Sequence, residues 1–274
     1  MKEFIMKFLL SAIAASAAAL VMAAGTSIVP AQVSDFQKIN GKGELTLNAD
    51  KVFEIKGYAN YRSAATLAID PNKTYKLTGE FMANGKSPSV LYFGFITLND
   101  KKQSIYSEQI FAVPGTETVL AEDVKAGDKE IKLKDCSKWK FKGGHVAFNI
   151  KDDLSDLPNK NISPSIKSYV KTGDVYTVTL ASPIRKAYAK GTAVRQHRAA
   201  GTYLYSATAG RKLTNQWQTF SATVNGVSPK ENPVASKKFW YTTKNVKILI
   251  LGNHLGKADA SLLFKNIKLE ELTR

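Results

Sequence analysis

Rings outnumber catalytic groups in this chain. It holds 11 tyrosines, 13 phenylalanines and three tryptophans against three histidines and one cysteine. That inventory suits stacking better than proton transfer. A flat ring accepts the C–H face of a sugar, while amide, carboxylate and guanidinium groups take its hydroxyls. Phe239, Trp240 and Tyr241 are consecutive, and successive strand side chains point to opposite faces, so all three are not expected to face one core. Trp240 and Tyr241 are therefore the leading platform candidates. Tyr92 lies on the second face of a strand whose first face is Leu91, Phe93 and Phe95. Tyr61, like Tyr58 and Tyr106, stands near a strand end or loop, with Arg62 beside it as a polar contact. His254 follows Gly252-Asn253 in a loop, where it can touch a sugar. Trp217 reads as core.

Catalytic patterns are absent from the sequence. His145, His197 and His254 have no spaced partners resembling a Ser-His-Asp set, an HExxH helix or a zinc pair. A polysaccharide lyase would need a Tyr, a His and an Arg in one cleft, and a glycoside hydrolase needs two facing carboxylates. Asp152, Asp153 and Asp156 are the metal candidates; a solvated acidic loop is the plainer reading. No cofactor is expected. Cys136 has no partner for an internal disulfide and reads as a buried, inert thiol. The net charge of +16 is spread along nearly every segment. It invites an acidic glycan or an anionic surface polymer rather than nucleic acid, for which no motif is present. A protein partner stays open.

The elements that would position these side chains are strands. Tyr75 to Leu98 holds two successive strands around a turn at 84–88. The first alternates Tyr75, Leu77 and Phe81 with Lys76, Thr78 and Glu80. The second is apolar on both faces, as a central strand should be. Short strands at 44–47, 52–55 and 61–69 precede them, and residues 101–113 supply another. Residues 32–43 read as a loosely held polar lead-in. From Thr116 the strands become very short, and the strand pattern of the first part resumes at Gly201. Residues 116–200 therefore read as a small β subdomain inserted in a larger unit made of 32–115 and 201–274. Strands at 217–224, 246–251 and 262–272 complete that unit. No long 3.6-residue period follows the leader, so the expectation is an all-β sandwich of two stacked sheets.

The leader is the apolar run from Phe8 to Ala24 behind Lys2 and Lys7. Small residues follow it, and Val29-Pro30-Ala31 offers a small-x-small cleavage pattern. Residues 1–31 are expected to be an export signal cut after Ala31, with a site nearer Ala24 as the alternative. A secreted, periplasmic or cell-surface location without a membrane span follows from that.

Four stretches carry a resemblance. They are YRSAATLAIDPNKTYKLTGEF from Tyr61, YFGF from Tyr92, WQTFSATVNG from Trp217, and VKILILGN followed by LLFKNIKLEEL. Their order resembles the galactose-binding-like jelly roll of carbohydrate-binding module families 4, 9, 16 and 22. The resemblance implies a non-catalytic protein that binds a polysaccharide, with a structural or adhesive surface protein and a polysaccharide lyase as alternatives. Many members hold a structural calcium with an Asp pair in the last strand. Lys265-Asn266 stands there in this chain, and a lysine repels a hard cation.

Overall fold

The computed structural model describes residues 27–140 and 142–272. The strands before the small sheets are β1 (Ser27–Ile28), β2 (Phe36–Gly41), β3 (Glu44–Leu47), β4 (Phe53–Lys56), β5 (Ala59–Ser63), β6 (Leu67–Ala68), β7 (Thr74–Ala83) and β8 (Val90–Leu98). Helix α1 (Ser107–Ile110) follows, then β9 (Thr118–Val119), β10 (Glu130–Leu133), β11 (His145–Phe148), β12 (Ile166–Thr172), β13 (Val175–Leu180) and β14 (Ala193–His197). The last group is β15 (Tyr203–Lys212), β16 (Gln218–Asn225), β17 (Val227–Ser228), helix α2 (Pro233–Ser236), β18 (Phe239–Trp240), β19 (Asn245–Gly252) and β20 (Ser261–Leu272).

These strands form an all-β sandwich of jelly-roll character. Its back sheet runs β16-β7-β20-β4-β3, with β1 beside the far end of β20. Its front sheet runs β15-β8-β19-β5-β2, with β6 continuing the β5 side of β19. Alternation dictates what meets between them. Tyr75, Leu77 and Phe81 of β7 face Leu91, Phe93 and Phe95 of β8 in one core cluster with Ile248, Ile250 and Phe264. All are fully buried, and each such side chain contributes about 1.5–3 kcal/mol of hydrophobic stabilisation.

The structure corrects several expectations. The turn at 84–88 does not close a hairpin; it carries the chain from the back sheet to the front sheet. Residues 36–41 are the front sheet's edge strand, not a loose lead-in. Residues 101–113 form turns and α1 instead of a strand, while still burying Ile105, Ile110 and Phe111. Trp217 is 37% exposed at the entry to β16, with the Lys265 ammonium 4.3 Å from its ring centre.

The strands between Thr118 and His197 make two three-stranded sheets, β10-β13-β12 and β11-β14-β9. They close on a separate cluster that includes Leu120, Ile131, Leu133, Trp139, Phe148 and Val178. Cys136 is buried there, its thiol ionisation pushed up to about 12 by that burial. The chain enters and leaves side by side. The Val113 N–H donates to the Gln196 carbonyl and the Arg198 N–H to the Phe111 carbonyl, both at 2.9 Å.

The apolar leader run lies outside the described residues. Of its surroundings, Ile28 is buried and pairs with Leu269. A cut after Ala31 would remove β1 from the sheet, and a cut near Ala24 would leave it in place.

Candidate binding face

On the front sheet, side chains that do not enter the core must point outward. Those are Asn60 and Arg62 on β5, Lys247, Leu249 and Leu251 on β19, and Tyr92, Gly94 and Ile96 on β8. Register sets them in rows. Asn60 lies opposite Leu251, which lies opposite Tyr92. Arg62 lies opposite Leu249, which lies opposite Gly94. Lys247 lies opposite Ile96, which lies opposite Tyr203 of β15. The aliphatic residues of this face are themselves buried, Ile96 and Leu249 beneath Ile39, Tyr203 and Tyr205, which leaves a polar margin toward β5 and an aromatic wall toward β15.

The wall is continuous. Ring centres are 6.3 Å apart from Tyr203 to Tyr205, 4.8 Å from Tyr205 to Tyr92, 5.0 Å from Tyr92 to His254 and 6.1 Å from His254 to Tyr58. All five rings are half-buried. The Tyr58 hydroxyl donates to Asn40 Oδ1 at 3.2 Å, so the wall curves round to the β2 edge. Tyr58, His254, Leu255 and Gly256 line a recess of about 380 Å³, with Leu255 91% exposed at its rim. Gly94 makes room for the wall. A side chain there would collide with the Leu204 carbonyl oxygen and lie 2.7 Å from Tyr205 Cα.

Burial and the neighbouring Tyr203, Tyr92 and Tyr58 push the Tyr205 hydroxyl up to about 12. It stays protonated at neutral pH and can donate a hydrogen bond. Two polar atoms on this side have no protein partner although they are buried: Asn60 Oδ1 and His254 Nδ1. A buried polar atom left unpaired costs about 1–3 kcal/mol. Arg62 Nε donates to Gln37 Oε1 at 3.2 Å. The Lys247 ammonium donates to the Ser63 and Ala64 carbonyls at 3.0 and 2.7 Å. Burial, then the charges of Arg62 and Lys102, lower its pKa.

Of the expected site residues, Tyr92, His254 and Arg62 meet on this face. Tyr61 does not: it points into the core, 4% exposed, and its hydroxyl donates to the Gly43 carbonyl at 3.3 Å. Trp240 is 1% exposed and packs on Phe111 at 5.3 Å, so it offers no ring to solvent. Tyr241 is half-buried against the same core. Sequence reasoning missed Tyr203, Tyr205, Asn60 and Lys247. The Tyr203-x-Tyr205 spacing, two rings on one face of a strand, was the available signal.

The acidic loop turns inward. Asp156 Oδ2 accepts from Arg195 Nη2 at 2.6 Å in a pair that is almost wholly buried, and from Asn159 Nδ2 at 2.9 Å. Asp153 caps the Ser155 N–H at 2.9 Å. Asp152, Asp153 and Asp156 therefore do not converge as a ligand set, which corrects the metal candidates. No group of three or more His, Cys, Asp or Glu is placed to hold a metal among the described residues. At the position of the calcium Asp pair, Asn266 Nδ2 donates to Glu80 at 2.8 Å.

No protein-family model matches the chain, and no curated protein matches it.

Proposed function

We propose that this chain is an exported carbohydrate-binding protein that holds a polysaccharide on the outer face of its front sheet without transforming it. The observation that carries the reading is the unbroken run of five half-buried rings laid over buried aliphatic side chains, with Arg62 and Lys247 at the margin of the same face. Sugar rings present apolar C–H faces to such a wall and hydroxyls to such a margin. A lyase would need a tyrosine ionised near neutral pH to remove a proton. The Tyr205 hydroxyl is moved the other way, which supports holding over proton abstraction.

The test is glycan-array binding by the exported chain beside Tyr92→Ala and Tyr205→Ala. Tyr92→Ala removes face area alone, while Tyr205→Ala also uncovers the buried Ile96 and Leu249. Each should weaken binding about tenfold or more, Tyr92→Ala with a melting temperature close to that of the parent and Tyr205→Ala with a lower one. The reading fails if no glycan binds, or if both variants bind as the parent does.

A further inference from the structure

We infer that the polar margin of this face is an anion subsite, made by Arg62 and Lys247, which selects glycans carrying a carboxylate or sulfate group. The inference rests on the carbohydrate reading and names the class of sugar.

Register makes the two side chains neighbours. Arg62 is paired with Leu249, and Lys247 is the next residue of β19 on the same face. Both are half-buried. Their positions are held from behind: the Lys247 ammonium by two carbonyls, the Arg62 Nε by Gln37. That leaves one ammonium N–H and the terminal guanidinium nitrogens for a ligand. Lys102 sits in the turn after β8, where its N–H donates to the Asn99 carbonyl, and its charge reaches Lys247. None of the ion pairs among the described residues involves Arg62, Lys102 or Lys247. Two like charges set side by side without a carboxylate repel one another, and partial burial strengthens the repulsion. An anion docked there relieves it and gains charge-assisted hydrogen bonds.

The dimensions match one sugar unit. Lys247 and Tyr203 flank Ile96 across two strand spacings, about 10 Å. Ile96 is buried beneath Tyr203 and Tyr205, so a pyranose rests on the exposed faces of those two rings and not on the strand floor. Its charged substituent then points to Lys247 and Arg62.

The experiment uses an oligosaccharide panel in which each backbone occurs neutral, uronate-bearing and sulfated. The exported chain should bind the charged forms at least about tenfold more tightly than the neutral form of the same backbone. A preference for uronate alone or sulfate alone supports the subsite and identifies the group. In Arg62→Gln and Lys247→Met the preference should collapse while neutral binding persists. Lys186→Met, which removes a distant cation on the small sheets, should keep it. Equal binding of neutral and charged forms by the parent overturns the inference and leaves the carbohydrate reading standing. A charge preference surviving in both variants also overturns it. Absence of binding across the whole panel sinks the carbohydrate reading itself.

Discussion

A neutral imidazole is built into the seam between the large sandwich and the small sheets. His197 is fully buried. Its Nδ1–H donates to the Glu108 carbonyl at 2.8 Å, and its Nε2 accepts from Arg195 Nε at 2.8 Å. Burial, and then the Arg195 charge, hold its pKa down to about 4, against an ordinary value of 6.5. Between those two values the unfolded chain binds a proton that the folded chain refuses. Stability is therefore complete above pH 6.5 and falls as pH drops toward 4, by up to about 3 kcal/mol. Melting temperature should stay level from pH 8 to 7 and decline from 6.5 to 5. The decline should flatten in His197→Gln, which can keep both hydrogen bonds. A level profile in the parent would contradict this account. At Trp240 the matter is packing alone. Trp240→Ala should cost about 3–5 kcal/mol in denaturant unfolding, whereas Trp217→Ala, losing an exposed cation–π contact, should cost less than about 1 kcal/mol. The sequence suggests the reverse for these two tryptophans because alternation assumes a continuing strand. β18 is only two residues long and ends in a turn where Thr242 adopts a φ of 68°. Phe239 reaches Phe95 at 5.3 Å while Trp240 reaches Phe111. One core thus accepts both neighbours.

At the scale of elements, Gly94 decides how the aromatic wall is presented. β15 shifts register between Leu204 and Thr208 as it passes β8, and its backbone there rides over Gly94. Gly94→Ala should force β15 away and displace Tyr205. The expected result is weaker glycan binding than in the parent together with a lower melting temperature, since backbone cannot yield as a flexible side chain can. Unchanged binding and stability would mean that β15 has more freedom than this contact implies. Alternation made β7, β8, β19 and β20 legible, because each buries a full row of apolar residues. It could not assign β7 and β8 to opposite sheets, since a strand carries no mark of its partner. The edge strand β2 was illegible for a physical reason. It buries Phe36 alone among its six residues, so its composition is that of a loop. Residues 101–113 misled in the opposite sense: their apolar side chains are buried, but a turn and a four-residue helix bury them as well as a strand would. The candidate face was half legible. Tyr92 announced itself by its strand, while Asn60 and Lys247 matter through cross-strand neighbours that only the register reveals.

For the whole molecule, the question is whether the small sheets belong to the sandwich's folding unit. Their core cluster is separate, and the two connections to the sandwich run antiparallel, with Ala112 bridging to His197. Val113 and Gln196 thus stand a strand spacing apart. Two residues such as Asn-Gly can join positions so placed, through a tight turn. Excising 114–195 through that joint removes no outward-facing residue of the front sheet. It does remove Leu157 from the main core, at about 1.5–3 kcal/mol, and leaves the buried His197 without Arg195. The shortened chain should therefore melt at a lower temperature, in one cooperative transition with β circular dichroism. Its glycan binding should match that of the intact chain within a few fold. An unfolded product would show that the seam, with its buried Arg195–Asp156 pair, is part of what holds the sandwich together. A folded product that no longer binds would place a share of the ligand contacts on the small sheets, next to the cleft of about 430 Å³ lined by Lys160, Arg185 and Lys186.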